Sequence, residues 1–195
     1  MRMVSRRKFD ESDVLTKATR AFWARGYTAT SMQDLVDCMG MNRGSIYATF
    51  GNKRALFIRA LHHFFATEQL VWLTELRSRH SPRAACLAAF EEVVDLAMSE
   101  EVHLGCFITN TALEMAPYDP EIAAIVAESL DEFEGFFRDM VEQGQEMGEI
   151  PGHIQAKSTA QGLMGLFTGL RVYCRSRPRD PQLSSLAQQA RAFIS

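Results

Sequence analysis

Apolar residues recur at helical spacing along almost the whole chain, and this pattern limits the possible folds more than any other feature. The second predicted helix is one example, with apolar residues at i, i+3, i+4 and i+7: Met32, Leu35, Val36 and Met39. Such spacing places these side chains on one face of an α-helix. The sequence has no run of alternating apolar and polar residues, the pattern typical of a half-buried strand. We therefore expect an all-α protein.

Capping residues and helix breakers divide the pattern into nine predicted helices, three short and six mostly longer. Thr30, followed by Gln33 three residues later, has the form of a capping box and predicts the start of the second helix. A proline after serine or aspartate marks three later starts, at Pro82, Pro120 and Pro181. The predicted ranges are about 10–25, 30–39, 43–50, 53–79, 82–98, 106–115, 120–147, 154–175 and a last helix from 181.

Charge is distributed unevenly along the chain. Residues 1–59 contain eleven lysines and arginines and five acidic residues, whereas residues 60–195 contain ten basic and nineteen acidic residues. A basic first third favours contact between that part of the chain and a polyanion. We predict an N-terminal three-helix domain over residues 6–66, joined through a long fourth helix to a helical body over residues 67–195.

The third predicted helix is short and polar, with only Ile46 and Phe50 pointing inward. It follows the second helix after a tight glycine-containing turn, the arrangement of a helix-turn-helix motif, whose second helix enters the major groove of DNA. Arg43 can donate two hydrogen bonds to a guanine, and the small residues Gly44 and Ala48 allow a close approach. The alternative is a hairpin with a solvated face inside a helical bundle.

The same region resembles the DNA-binding domain of the tetracycline-repressor (TetR/AcrR) family. The resemblance lies in AFWARGYTATSMQDLVDCMGMNRGSIYATFGNKRALF, where GY-x-x-T-S, D-L-V, G-x-N-R-G-x-I-Y-x-x-F and x-N-K-x-x-L-F follow one another in the family order. It covers residues 7–61, about a third of the chain. The resemblance implies one N-terminal helix-turn-helix domain, a divergent ligand-binding body, and a homodimer formed by the last two long helices.

The resemblance also assigns contacts with double-stranded DNA, at a palindromic operator, to individual positions. The residues expected to read bases are Arg43, Gly44, Ser45 and Ala48. The residues expected to contact phosphates are Thr30, Asn42, Tyr47, Thr49 and Lys53. Lys53 also stands at a helix N-terminus, where unpaired backbone N–H groups favour an anion.

Three glycines form a stripe along the penultimate helix, at i, i+3 and i+7: Gly162, Gly165 and Gly169. Each costs about 1 kcal/mol of helix stability relative to alanine, and a close contact between helices would offset that cost. Together with the resemblance, the stripe predicts a homodimer interface. Packing within one subunit is the alternative. A two-fold dimer would present two recognition helices to successive major grooves, about 34 Å apart.

The helical body is rich in large apolar residues, and some of them are expected to line a pocket for a small apolar or amphipathic effector. The predicted lining residues are Phe65, Trp72, Cys106, Asn110, Phe137 and Phe167. Cys106 stands at a predicted helix N-terminus with His103 nearby, a setting that favours a reactive thiolate and a sensor of oxidants or electrophiles. The alternative is a buried small hydrophobe, the usual state of a free cysteine.

The remaining features favour a regulator over an enzyme. No phosphate-loop, nucleophile-elbow or metal-ligand motif occurs, so neither a cofactor nor a metal is expected. The charged N-terminus lacks the apolar core of a signal peptide, and no apolar run reaches the roughly 20 residues of a membrane helix. A cytoplasmic protein is therefore expected.

We predict a ligand-responsive transcriptional regulator, with repression favoured over activation. One alternative is a regulator that senses oxidants or electrophiles through Cys106. Another is an enzyme with Cys106 as nucleophile and His103 or His153 as base. The last is a DNA-binding protein without a small-molecule ligand.

Overall fold

The computed structural model of the protein describes residues 10–99 and 104–195, and the regular elements in those ranges are helical. The α-helices are α1 (Glu11–Arg25), α2 (Met32–Met39), α3 (Arg43–Phe50), α4 (Lys53–Phe64), α5 (Leu70–Arg79), α6 (Pro82–Met98), α7 (Phe107–Glu114), α8 (Pro120–Glu146), α9 (Ala156–Ser176), α10 (Gln182–Gln188) and α11 (Ala190–Phe193). A π-helical turn, Phe65–Gln69, separates α4 from α5. The predicted all-α class is confirmed.

The chain forms two compact units, whose boundary falls between Glu68 and Gln69. The first unit contains α1 to α4, with α1 packed against α2 and α4. Its core is formed by buried apolar side chains from all four helices: Val14, Leu15, Ala18, Phe22, Leu35, Met39, Ile46, Phe50, Leu56, Phe57 and Leu61. Ile46 and Phe50 bring α3 into this core and so fix which face of α3 is turned outward.

The second unit is built around α8 and α9, which pack along each other and against α6. Aromatic rings from four of its helices cluster at the centre: Trp72, Phe90, Phe133, Phe137 and Phe167. The Phe167 ring lies 5.2–6.1 Å, between ring centroids, from each of the other four. Because aromatic side chains bury large apolar areas, this cluster contributes strongly to the stability of the second unit.

The second helix begins two residues later than the sequence pattern predicts. The N-cap of α2 is Ser31, whose Oγ accepts a hydrogen bond from Asp34 N at 3.1 Å. The Asp34 carboxylate accepts in return from Ser31 N at 2.8 Å. The predicted pairing of Thr30 with Gln33 is therefore wrong. Thr30 is fully buried and points inward, which leaves the capping position to the next residue.

Removal of the cap tests this assignment. Ser31→Ala is expected to lower the free energy of unfolding of the first unit by about 1 kcal/mol, because a backbone N–H of α2 loses its acceptor. Gln33→Ala is the matched control, since Gln33 bonds to Asp37 on the surface of the helix and lies outside the capping box. Its effect is expected to stay within about 0.5 kcal/mol. Urea unfolding followed by circular dichroism measures both variants, and equal losses would contradict the assignment.

Hydrogen bonds hold the pKa of the Asp34 carboxyl below its ordinary value. The Ser31 hydroxyl and the Ser31 backbone N–H contribute most, and the Arg25 guanidinium, 2.6 Å away, adds to the effect. A carboxyl whose pKa is lower in the folded state stabilises the fold above its unfolded pKa, about 3.9. The contribution of the capping box is therefore present at neutral pH and is lost as the pH falls through the folded pKa.

The predicted helix over residues 53–79 is observed as two helices, α4 and α5, joined by the π-helical turn. Gln69 ends the turn with its side chain buried against α8. Its Nε2 donates to the Ser129 carbonyl at 2.8 Å, and the Ser129 hydroxyl donates to Gln69 Oε1 at 2.5 Å. A buried amide without partners would cost free energy, and these partners lie far away in the sequence. No local pattern could therefore predict the interruption.

The last predicted helix is likewise observed as two short helices, α10 and α11, and the other predicted bounds agree with the observed ones to within two residues. At the start of α6 the expected serine cap is replaced by a distant side chain. Glu149 accepts hydrogen bonds from the Ser81 hydroxyl at 2.8 Å and from Arg83 N at 3.0 Å. Within the described ranges, no helix has the length and hydropathy needed to cross a membrane.

Candidate nucleic-acid interface

The turn between α2 and α3 is tight and well defined. Gly40 adopts a left-handed conformation with φ of 67°, which favours glycine, and its N–H donates to the Val36 carbonyl at 3.1 Å. Asn42 then caps α3, because its Oδ1 accepts a hydrogen bond from Ser45 N at 2.8 Å. These contacts give α3 a fixed start and a fixed direction, as a helix-turn-helix motif requires.

The outward face of α3 consists of the residues that the sequence assigns to base reading and their neighbours. Arg43, Gly44, Tyr47 and Ala48 are exposed, whereas Ser45 and Thr49 are half-buried along the edges of that face. The structure therefore brings six of the nine predicted DNA-contacting residues together on one short helix. Asn42 adjoins them as the cap, and Lys53 follows at the start of α4.

The packing of the first unit does not require the small residue Gly44 on this face. A Cβ added at Gly44 would lie 3.4 Å from Asn42 Oδ1, an ordinary van der Waals distance, and Gly44 has no unusual φ. Ala48 is exposed in the same way. A methyl group at Gly44 would therefore fit the isolated protein, so the packing of the first unit does not require glycine at that position.

Two cations of the first unit, one in the motif and one beside it, lie over aromatic rings. The Arg43 guanidinium lies 5.8 Å from the centroid of the Tyr47 ring, one helical turn along α3. The Lys53 ammonium lies 4.4 Å from the centroid of the Tyr27 ring, which itself packs edge to face against Phe57 at 4.9 Å. Cation–π contacts of this kind restrict where a flexible cation can go. They position both charges on the surface of the first unit.

Thr30 does not fit the phosphate contact assigned to it. Its side chain is fully buried, and its hydroxyl donates to the Gly26 carbonyl at 2.6 Å. A phosphate outside the protein cannot reach a hydroxyl in that position, so this assignment is corrected. The exposed hydroxyl at the start of α2 belongs to Ser31.

Sequence reasoning overlooked the residues that support the motif from neighbouring helices. Tyr27 lies under Lys53, and Arg59 of α4 places its guanidinium 5.1 Å from the centroid of the Phe50 ring while pairing with Glu11 of α1. The signal that could have found Tyr27 is an aromatic residue directly after the glycine that ends α1. No local signal links Arg59 to Phe50, because they meet only in the folded unit.

The predicted pocket residues of the second unit fall into two groups. Phe137 and Phe167 are at most 2% exposed and belong to the hydrophobic core. Trp72 is half-buried, and its indole Nε1 donates to Glu92 Oε2 at 2.5 Å. Phe65 lies on the other side of the boundary between the units, in the π-helical turn. The pocket assignment of these residues remains a prediction.

Cys106 and Asn110 lie at the start of α7. Cys106 occupies the N-cap position and is buried, 6% exposed, while Asn110 Nδ2 donates to the Leu104 carbonyl at 2.9 Å. Arg175 of α9 donates to the same carbonyl at 2.8 Å, so both side chains tie the start of α7 in place. His103, the predicted neighbour of Cys106, lies outside the described residues. A sensor role for Cys106 remains a prediction.

Burial also sets the properties of the other two cysteines in the second unit. It raises the pKa of Cys86 to about 12 and also raises the pKa of Cys174. Their thiols are therefore protonated at neutral pH, as expected of small hydrophobic core residues.

The three glycines of α9 are not equivalent in the folded chain. A Cβ added at Gly162 would lie 2.4 Å from Cε1 of Phe193, so Gly162 accommodates a ring of its own subunit. This is the alternative that the sequence left open, and it removes Gly162 from the predicted interface. A Cβ added at Gly165 or Gly169 would meet no heavy atom of the described chain within 4 Å. Those two glycines face outward.

A short exposed helix held by a glycine turn, with a basic residue and small residues on its outer face, defines a helix-turn-helix DNA-binding regulator. Sequence comparison agrees with that class. The profile described as "Bacterial regulatory proteins, tetR family" matches residues 14–60, and the profile "Tetracyclin repressor-like, C-terminal domain" matches residues 83–190. The chain belongs to the TetR family of bacterial transcriptional regulators. Members of this family are DNA-binding regulators and not enzymes, which excludes the enzymatic alternative.

Individual relatives extend the similarity over most of the chain. The uncharacterized HTH-type transcriptional regulator YezE of Bacillus subtilis is 32% identical over 146 residues, 75% of each chain. The HTH-type transcriptional repressor ComR of Escherichia coli is 30% identical over 183 residues, 92% of this chain and 86% of ComR.

A solved structure shows the same architecture. It is that of a cysteine mutant of the TetR family transcriptional regulator CifR, complexed with 26bp double-strand operator DNA. The TM-score is 0.83 with 27% sequence identity, and the similarity covers 95% of this chain and 98% of the CifR chain.

Proposed function

We propose that the protein is a repressor that binds a palindromic operator as a homodimer and is released by a small apolar or amphipathic effector. Residues 6–66 would form the DNA-binding domain, and residues 67–195 the effector-binding and dimerisation domain. The observation that carries the proposal is the outward face of α3, where Arg43 stands beside Gly44 and Ala48.

The chemistry of α3 supports direct base reading. A helix of eight residues is about 12 Å long, enough to enter a major groove and touch a few base edges. Arg43 can donate two hydrogen bonds to guanine O6 and N7, and the Ala48 methyl can contact a thymine methyl. Ser45, at the edge of this face, can reach a base edge. The residues that can reach phosphates are Asn42, Tyr47, Thr49 and Lys53. The similarity to CifR, solved in complex with operator DNA, and to the repressor ComR supports operator binding by this chain.

Two outward-facing glycines support a homodimer through α9. Gly165 and Gly169 stand one helical turn apart, and with Gln161, Val172 and Ser176 they form one exposed or half-buried face of the helix. Glycines inside a helix are unfavourable unless a second backbone approaches closely. A second copy of α9 meets that requirement, and two-fold symmetry would match the symmetry of a palindromic operator.

Release by an effector requires a difference in affinity between two states. The effector would bind the second unit of a DNA-free dimer more tightly than that of a DNA-bound dimer, and the population would shift accordingly. An effector with equal affinity for both states would release nothing. The alternative without a small-molecule ligand predicts that no metabolite changes the affinity for DNA.

Selection of bound duplexes from a random pool by the purified full-length protein tests the proposal. A palindromic consensus, with half-site centres about 10 base pairs or a multiple of that apart, is the expected result. Gel-shift release by compounds that also raise the melting temperature then tests effector control. A protein that is monomeric and shows no preference among duplexes at moderate salt would contradict the proposal.

Substitution of Gly44 separates the demands of DNA from those of the fold. Gly44→Ala is expected to leave the free energy of unfolding unchanged or to raise it by up to about 1 kcal/mol, because alanine favours a helix. Operator binding is expected to weaken by about 1–3 kcal/mol, as for a methyl group added to a packed contact. Fluorescence anisotropy with labelled operator measures the loss. Unchanged affinity would show that Gly44 does not lie close to the duplex.

A further inference from the structure

We propose that the second unit binds organic anions with a planar apolar part, such as aromatic carboxylates, and that Arg171 is the anion-binding residue. This inference rests on the proposed effector control and specifies the chemical class of the effector. The elements involved are α5, α6, α8 and α9, which all belong to the second unit. The predicted pocket residues Trp72 and Phe167 are part of the site.

Arg171 is a half-buried cation with an unmet donor. Its Nε is fully shielded from solvent, yet no acceptor for that N–H is found among the described residues. Buried polar groups in folded proteins nearly always have a hydrogen-bond partner, and a buried donor without one is unfavourable. A ligand that shifts the Arg171 side chain and brings an acceptor to Nε would remove that penalty, which gives the site a preference for acceptor groups.

Aromatic rings position the guanidinium of Arg171. Its central carbon lies 5.8 Å from the centroid of the Trp72 ring and 5.4 Å from that of Phe167. The Trp72 and Phe167 rings are nearly parallel, with centroids 6.1 Å apart and an angle of 27° between their planes. Phe133 packs against both, at 5.8 and 5.2 Å. The cation is therefore held at the edge of an aromatic cluster, and no ion pair with a carboxylate of residues 10–99 or 104–195 is found for it.

The half-exposed ring at this edge is that of Trp72. Its indole Nε1–H donates to Glu92, which fixes the orientation of the ring, and the rest of an indole ring is apolar. Phe133 and Phe167 are 4% and 2% exposed and support Trp72 from behind. A planar apolar group can stack on Trp72 while a carboxylate attached to it accepts hydrogen bonds from Arg171, whose planar fork suits carboxylate geometry.

The surroundings of Arg171 differ from those of a second arginine in the same unit, Arg83. Arg83 also has a buried Nε that finds no acceptor among the described residues. It lies at the start of α6 beside Glu149, whose carboxylate accepts from the Arg83 backbone N–H at 3.0 Å. The described neighbour of Arg83 is therefore a carboxylate. The described neighbours of the Arg171 guanidinium are the Trp72 and Phe167 rings, and the nearby Glu92 carboxylate is bonded to the Trp72 indole. Arg83 is the matched control for the experiment.

Direct binding of 2-naphthoate to the full-length protein tests the inference, with the neutral 2-naphthamide as a matched probe. Isothermal titration calorimetry on the wild type is expected to give saturable binding of 2-naphthoate and at least tenfold weaker binding of 2-naphthamide. Arg171→Met is expected to weaken 2-naphthoate binding by roughly 10- to 150-fold, the range for a lost hydrogen bond to a charged group. Arg171→Lys keeps the charge but lacks the planar guanidinium, so its affinity for 2-naphthoate is expected to lie between those of the wild type and Arg171→Met. Arg83→Met is expected to bind as the wild type does.

Several outcomes would overturn the inference. They are equal binding of the two probes by the wild type, no saturable binding of either probe, or equal losses in Arg171→Met and Arg83→Met. The wild-type comparison decides the matter even if Arg171→Met does not fold. Each of these outcomes leaves the proposed repressor intact if a palindromic duplex is still selected. Loss of duplex selection, by contrast, contradicts the proposed function without bearing on 2-naphthoate binding.

Discussion

Phe167→Ala is expected to lower the free energy of unfolding by about 3–5 kcal/mol, the usual cost of deleting a fully buried aromatic side chain. Phe167 is 2% exposed, and its ring contacts the rings of Trp72, Phe90, Phe133 and Phe137. The substitution removes the centre of that cluster, and a rigid helical packing can close the resulting cavity only in part. Urea unfolding followed by circular dichroism measures the change.

An exposed residue in the same unit provides the control for this prediction. Leu113 of α7 is 71% exposed, so Leu113→Ala is expected to change the free energy of unfolding by no more than about 0.5 kcal/mol. If Phe167 mainly lines a cavity that water or a ligand can fill, Phe167→Ala would cost well under 3 kcal/mol. That result would favour its assignment as a pocket residue over its assignment as a core residue.

Arg43→Ala is expected to weaken operator binding by about 1–3 kcal/mol and to relax the preference for one base pair in each half-site. The guanidinium is exposed on α3, and Tyr47 restricts where it can lie. A bidentate contact with guanine is lost in the variant, whereas contacts made by the rest of the helix remain. Competition binding with operators changed at one position at a time measures both effects.

Lys53→Ala is the matched control, since Lys53 is a basic residue beside the motif but at the start of a different helix. It is expected to weaken binding to all sequences alike and to reduce the slope of log K against log salt by about one unit. The Arg43 variant should show the larger change in base preference. Equal losses on every operator variant would show that Arg43 contacts phosphate and does not read a base.

Much of the DNA-binding unit could be predicted from the sequence because its signals are local. Asn42 is the observed N-cap of α3, Gly40 the observed left-handed residue of the turn, and Ile46 and Phe50 the buried residues. Each of these depends on a few neighbouring positions, since caps, turns and helical faces are formed within one or two turns of chain. The outward face of α3 followed directly from them.

The corrections concern residues whose state depends on how the folded chain packs. Thr30 and Ser31 are both residue types that suit an N-cap, and the packing of the first unit buries Thr30. Gly162 belongs to a regular stripe, yet a phenylalanine near the end of the chain, Phe193, packs over it. Gln69 lies where the α-helical pattern is interrupted, and its side-chain amide donates to the Ser129 carbonyl and accepts from the Ser129 hydroxyl. The partners of Gly162 and Gln69 lie too far away in the sequence for a local pattern to reveal them.

The sequence by itself determined the all-α class, the family, the helix-turn-helix motif and the face of α3 that points outward. Only the tertiary structure decided that Thr30 is buried, that α4 and α5 are separate helices, and that Arg171 lies unpaired against Trp72 and Phe167 among the described residues. The physical reason is the distance along the chain between the residues that determine each property. Helix formation and capping depend on neighbours in the chain, whereas burial and the partners of buried polar groups depend on residues that only folding brings together.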